Sequence, residues 1–259
     1  VLVGPPGPIA AAARAAGIPT DGWASQPTAD DPRAAAAAAV ALVREGRCRA
    51  LMKGSLHSDE LLAAAVAREA GLRGARRASH AFVIDVPGQD RPLLFTDCVV
   101  NIAPDLMAKR DIAQNAIDLA HRLGIARPKL AILSAVETVN PAIPGTLDAA
   151  ALCKMADRGQ ITGALLDGPL AFDNAISSAS ARNKGIASEV AGSPDVLLVP
   201  DLEAGNMLYK QLVYLADAEC AGVVLGLRAP VVLTSRSDSV ASRVASCALA
   251  VLACEGEGA

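Results

Sequence analysis

Short apolar runs alternate with longer stretches of helical periodicity along this chain. RALM (49–52), HAFVIDV (80–86), PLLF (92–95), KLAIL (129–133), ITGALL (161–166), DVLLV (195–199), CAGVVL (220–225) and PVVL (230–233) are almost continuously apolar. Runs of that length predict strands covered on both faces. The opening VLVGPPGPI (1–9) reads as a strand already under way, and PGQDR (87–91) as a hairpin-like connection between two strands. Between the runs, apolar positions recur at helical spacing. Helices are predicted in the alanine-rich stretch 34–43, in 58–72 with Ser58 as its cap and Gly71 near its end, and in 105–125, 147–159, 203–216 and 239–253. Alternation of this kind predicts an α/β protein with a mostly parallel sheet. Ligands in such folds lie beyond the carboxyl ends of strands, so the polar residues that follow each run are the ones to read.

Composition narrows the field. The 259 residues are 52% hydrophobic, enough for a sizeable core, but only 2% aromatic. That scarcity argues against a stacking platform for single-stranded nucleic acid. With a net charge of −3 and scattered basic residues, no footprint for a duplex is visible, and an anionic small molecule has to be held by a local cluster. No apolar run is long enough to span a bilayer, which predicts no membrane partner, and no signal peptide is evident. Six dispersed cysteines without a CxxC pair read as small buried hydrophobes in a reducing compartment, with the cytoplasm the expected location.

Four strand ends carry candidate chemistry. After the first run come Lys53, Gly54, Ser55 and His57; after ITGALL come Asp167, Gly168, Asp173 and Asn174; after DVLLV come Glu203, Gly205, Asn206 and Lys210. After PVVL come Thr234, Ser235, Arg236, Ser237, Asp238 and Ser239 without a break, immediately before the last helix. Amides at a helix start attract anions, serine hydroxyls add donors, and Arg236 can clamp a phosphate or carboxylate through two parallel bonds. The plainer reading is helix capping, for which Ser, Thr and Asp are preferred, although a cap needs no guanidinium. Gly205 followed by Asn206 inside a helical stretch costs about 1 kcal/mol for the glycine and asks for a reason. His80 and His121 read as structural.

Taken together and in order, MKGSLHSDELL, TDCVVNIAPD, DGPLAFDNAIS, PDLEAGNMLYKQL and PVVLTSRSDS resemble the phosphate acetyltransferase/phosphate butyryltransferase family. The form TSRSDS is more similar to the butyryl branch, or to the related domain that follows an enoyl-CoA hydratase domain in bifunctional proteins. The resemblance implies two α/β domains flanking a cleft, as in isocitrate and isopropylmalate dehydrogenases. The first would be built from 1–73 plus 229–259 and the second from 74–228, with a native segment expected before Val1. All four strand ends would then face one cleft.

The implied reaction is short-chain acyl-CoA plus inorganic phosphate to acyl phosphate plus CoA, reversibly, by direct transfer in a ternary complex. No metal or organic cofactor is implied; CoA and phosphate are substrates. A homodimer is the implied assembly. By position in the motif, Arg236 takes the phosphoryl group and Ser235 the carbonyl or tetrahedral oxygen. Lys53, Gly54, Ser55, His57, Asp173, Asn174, Glu203, Gly205, Asn206, Thr234 and Ser237 are the expected substrate-binding positions. The acetyl-type enzymes carry an acid one helical turn further on, where this chain has Ser242, so Asp238 becomes the candidate base. An aspartate is a weak partner for a thiol, by about 6 kcal/mol for full transfer, so Asp238 orienting Arg236 is the competing role. Other readings are a metal-dependent dehydrogenase, an acyl-enzyme on Cys98, and a domain that binds acyl-CoA without turnover.

Overall fold

The computed structural model describes residues 1–235 and 238–254. In chain order the elements are β1 (Leu2–Gly4), α1 (Pro6–Ala16), β2 (Ser25–Pro27), α2 (Pro32–Arg44), β3 (Leu51–Met52), α3 (Ser58–Ala65), β4 (Ser79–Asp85), β5 (Leu93–Thr96), α4 (Leu106–Arg122) and β6 (Lys129–Leu133). They continue with α5 (Pro144–Asp157), β7 (Leu165–Leu170), α6 (Phe172–Ile176), α7 (Ser178–Asn183), β8 (Val196–Leu198), α8 (Leu202–Leu215), β9 (Glu219–Leu225), β10 (Val231–Val232) and α9 (Val240–Cys254).

Eight strands form one sheet in the order β3-β10-β9-β4-β5-β8-β6-β7, and β1 and β2 form a separate parallel pair. In the large sheet β3/β10, β5/β8, β8/β6 and β6/β7 are parallel, while β10/β9, β9/β4 and β4/β5 are antiparallel. The α/β class and the parallel majority follow the sequence pattern; the three antiparallel pairings reverse strand direction in the middle of the sheet.

Side chains alternate between the two faces, as the pleat requires. Ala81, Leu94, Leu130, Ile132, Val196 and Leu198 meet Ile112, Ala116 and Ile117 of α4 and Leu249 of α9 on one face. Ile84, Phe95, Ala131, Leu133 and Leu197 meet α6 and the inner side of α8 on the other. Both faces being covered is why these strands read as unbroken apolar runs. α2 and α3 close over β3 and β10 around Val40, Leu61 and Val231.

Three predicted boundaries move. The opening strand stops at Gly4 and a helix begins at Pro6, because proline's fixed φ and missing N–H suit a first helical turn. His57, not Ser58, is the residue capping α3, which ends at Ala65 rather than near Gly71. β7 continues through Asp167, Gly168 and Pro169, so Asp167 and Gly168 are strand residues rather than loop residues. A Cβ on Gly168 would lie 2.7 Å from Ile132 Cβ, so β6 and β7 can approach there only at a glycine.

Candidate functional site

β3 and β10 run parallel and in step: Leu51 faces Val231, Met52 faces Val232, and Lys53 N–H donates to the Val232 carbonyl at 3.0 Å. The two strands therefore end together. Lys53, Gly54, Ser55 and His57 leave the sheet beside Thr234 and Ser235. Lys53 and Thr234 are 8% and 7% exposed. A buried ammonium is costly unless oxygens meet it; Lys53 Nζ reaches the Leu56 carbonyl at 3.4 Å. Gly54 has open space where a Cβ would project, so packing does not demand a glycine there and the approach to the strand ends stays clear. Ser55 and His57 are exposed, and His57 N–H donates to Glu60 Oε2 at 3.0 Å across the first turn of α3.

The segment between β10 and α9 is held by its own side chains. Ser235 N–H donates to Asp238 Oδ2 at 2.6 Å, Asp238 N–H returns to the Ser235 carbonyl at 3.3 Å, and Arg243 Nη2 donates to that same carbonyl at 3.3 Å. Ser239 Oγ accepts the Ser242 N–H at 3.0 Å, so capping explains Ser239 and fixes the start of α9. Arg236 and Ser237 lie outside the described residues. Tyr209 of α8 and Cys220 of β9 flank this loop. Burial first, and then the Asp238 carboxylate, push the Tyr209 hydroxyl up to about 12, and the same two causes raise the Cys220 thiol. Tyr209 is fixed against Phe82, with ring centroids 4.5 Å apart.

α8 links this edge to the other strand ends. Asp201 Oδ1 accepts the Ala204 N–H at 2.8 Å and starts the helix. Gly205 is buried, and a Cβ there would meet Val199 Cγ2 at 2.7 Å and Cys98 Sγ at 3.0 Å. That close approach is the reason for a glycine inside a helix. Asn206 Nδ2 donates to the Cys98 carbonyl at 3.1 Å, tying α8 to the end of β5. Glu203 and Lys210 are exposed. Cys98 itself is fully buried, and desolvation, helped by the Asp97 carboxylate, raises its thiol far above the ordinary range. A thiolate nucleophile is disfavoured there, and the acyl-enzyme reading loses its residue.

Asp173 and Asn174 belong to a different group. β5, β6, β7 and β8 run opposite to β3 and β10, so their carboxyl ends point the other way along the sheet. Past β6 and β7, Lys184 Nζ bridges Glu137 Oε2 and Asp173 Oδ2, each at 3.2 Å; Asn174 Nδ2 donates to Glu137 at 3.2 Å and Ser180 Oγ to Asp173 at 2.6 Å. Lys184 holds the Glu137 carboxyl below its usual range, and the Ser180 hydroxyl, then Lys184, does the same for Asp173. Asn174 is fully buried and its Oδ1 has no partner among the described residues. By strand direction the four ends fall into two pairs, β3 with β10 and β7 with β8, and α8 runs from the second pair to Tyr209 beside Asp238. Glu137 follows the strand KLAIL as a polar strand end and was legible by the same rule that found the others; Tyr209 and Arg243 sit within helices and Lys184 just past the end of α7, and only the fold brings them near.

Among the described residues, no group of three or more His, Cys, Asp or Glu side chains is placed to hold a metal ion. No helix among them is long and apolar enough to cross a membrane.

The edge strand β3 and its parallel neighbour β10 end in a buried lysine and a serine–aspartate loop, an arrangement suited to an anionic small molecule. The chain belongs to the phosphate acetyl/butaryl transferase family, whose model matches residues 21–251. It is 64% identical over 219 residues to the phosphate acetyltransferase of Rhizobium meliloti, covering 85% of this chain and 69% of that protein. It is 46% identical over 218 residues to the phosphate butyryltransferase of Clostridium acetobutylicum, covering 84% and 72%. The crystal structure of a branched-chain phosphotransacylase from Enterococcus faecalis V583 superposes with a TM-score of 0.82 at 34% identity, covering 90% of this chain and 83% of that one.

Proposed function

We propose that the β3/β10 edge transfers a short-chain acyl group directly between CoA and phosphate. As a member of its family the protein is an acyltransferase, acting reversibly on acyl-CoA plus phosphate to give acyl phosphate plus CoA. The observation that carries the placement is the parallel, in-step pairing of β3 and β10, which sets the buried Lys53 beside Thr234 and Ser235.

In this reading a phosphate oxygen attacks the thioester carbonyl, the carbonyl oxygen gathers negative charge, and the C–S bond breaks to release CoA thiolate. Arg236 and Lys53 hold the phosphate, and Ser235 donates to the developing oxyanion, while Thr234, Ser237, Gly54, Ser55 and His57 form the surrounding walls. Bringing both substrates into line at one edge supplies much of the rate by proximity. Asp238 is the base that takes the CoA thiol proton in the reverse direction, and its hydrogen bond to Ser235 N–H makes it a positioning group as well. Tyr209 and Asn206 set the facing wall through α8. Glu203, Gly205, Asp173 and Asn174 are assigned to the support and far side of the cleft.

The reading extends to a cytoplasmic homodimer, alone or joined to an enoyl-CoA hydratase domain, that uses no metal or organic cofactor and has no nucleic-acid or membrane partner. Val240, Val244 and Val251 of α9 are 78%, 64% and 57% exposed and suit a contact between copies. The domain without turnover was motivated by Ser242 alone, and no feature of the geometry favours it.

The deciding experiment is thiol release from acetyl- through hexanoyl-CoA, with phosphate present and then omitted. Phosphate-dependent release peaking at four carbons is the expected result. Release without phosphate, or CoA binding with no release from any member of the series, would overturn the assignment.

A further inference from the structure

At the amino-terminal edge of β3 and β10, away from Lys53 and Ser235, the protein carries a cleft of about 860 Å³. Among the described residues, four arginines line it, Arg49, Arg76, Arg122 and Arg228, against one carboxylate, Asp118. This local excess of positive charge sits in a chain whose net charge is −3. Six parts of the fold contribute: the end of α2, the turn before β3, the chain entering β4, α4, the β9–β10 connection and the end of α9. The floor is built to stay open. Gly74 and Gly226 meet there so closely that a Cβ on Gly74 would lie 2.8 Å from the Gly226 carbonyl oxygen, and Gly226 has φ +78°, where a Cβ would lie 2.3 Å from the Arg77 carbonyl oxygen.

The arginines are only partly occupied by the protein. Arg76 pairs with Asp118 at 2.5 Å. Arg49 Nη2 donates to the Cys254 carbonyl at 3.3 Å, and Arg122 Nη1 donates to the Ala253 carbonyl, so both satisfy the end of α9. Each spends one N–H of the five that a guanidinium carries. Among the described residues no carboxylate pairs with Arg228, whose side chain is exposed and whose backbone N–H alone is used, by the Leu72 carbonyl at 2.8 Å. Helix capping therefore explains two of the four arginines, ion pairing explains one, and nothing among the described residues explains the fourth. Val43, Leu227 and Pro230 add an apolar wall, and the volume falls within the range of ordinary ligand pockets.

We propose that this cleft is a second ligand site, separate from the transfer edge, that takes a small organophosphate carrying at least two negative charges. Arg228 and Arg76 clamp its phosphates, and Val43, Leu227 and Pro230 receive its body. The proposal does not depend on the transferase reading, because its readout is binding.

The test is calorimetric titration of the full-length protein with ATP at low ionic strength, first without CoA and then with CoA and phosphate added. One site per chain is expected, weakening steeply as salt is raised. Arg228→Ala should weaken it at least tenfold, and Arg228→Lys less than Arg228→Ala, since lysine keeps the charge but loses the fork. Thiol release without ATP should stay within twofold in both variants. The proposal falls if ATP does not bind, if Arg228→Ala leaves the affinity unchanged, if CoA displaces ATP one for one, or if citrate binds as tightly as ATP.

Discussion

The carboxyl ends of β3 and β10 and those of β6 and β7 look alike in sequence, since each places charged and polar residues just past an apolar strand. In the fold they differ in how their charge is spent. Past β6 and β7, Lys184 is met by two carboxylates, and those carboxylates are met again by Asn174 and Ser180. The charges of the group are matched within it, while the buried Asn174 Oδ1 has no partner among the described residues. Past β3 and β10, the buried Lys53 Nζ has a backbone carbonyl at 3.4 Å, and Asp238 is turned toward the backbone of Ser235. Polar residues after a strand do not by themselves make a site; the pairing of β3 with β10, which brings two strand ends together, is what sets this edge apart.

The strongest way to break that contrast is at Ser235 and Arg236. Ser235→Ala should lower kcat by about 10²–10³ with little change in the KM for CoA, as expected when one oxyanion donor is removed. Arg236→Gln should raise the KM for phosphate and lower kcat as well. If steady-state kinetics show both variants within threefold of wild type, the β3/β10 edge is not where transfer occurs.

Asp238 separates two roles. Asp238→Asn keeps an oxygen able to accept the Ser235 N–H but cannot take a proton. A base role predicts a loss of about 10²–10⁴ in the direction that consumes CoA, together with disappearance of the acidic limb of the pH–rate profile. A purely positioning role predicts near-normal rates for Asp238→Asn and a large loss only for Asp238→Ala.

Gly205 tests the link between the two edges. Gly205→Ala forces a Cβ to within 2.7 Å of Val199 and 3.0 Å of Cys98. Overpacking of that kind costs about 1–3 kcal/mol, readable in chemical denaturation. Because α8 also carries Tyr209, activity should fall further than stability alone accounts for.

The smallest effect belongs to the charge-matched cluster. Lys184→Met should change thiol release by less than threefold. It should also alter the acid side of the stability curve. Glu137 and Asp173 have folded-state pKa values below their ordinary 4.5 and 3.8, so their contribution is present above those values and is lost as pH falls through the folded ones. The Tm difference between wild type and Lys184→Met should therefore be steady near neutrality and close progressively below about pH 4. A gap that stays constant to pH 3 would mean that the three residues are not coupled.

Much of this was legible without coordinates, for reasons tied to particular residues. The apolar runs and helical spacings marked every strand of the large sheet and nearly every helix packed on it, because burial on both faces leaves few polar positions in β5, β6 or β8. Ser239 as a cap and Gly205 as an anomaly were also visible, since capping and helix propensity are local. Boundaries that depend on a neighbour were not: β7 runs on through Asp167 and Gly168 because β6 lies against it. The association of Lys53 with Ser235 could not be read from spacing, as 182 positions separate them in the chain and only the pairing of β3 with β10 joins them. Nor could the division of four similar strand ends into two groups. That division follows from the antiparallel pairings of β9 and β4, and no residue pattern along a single strand encodes the direction of its neighbour. The order of residues determined which segments are strands and which side chains bear chemistry; the sheet decided which of them meet, because contact between distant segments is set by pairing and packing of the whole chain.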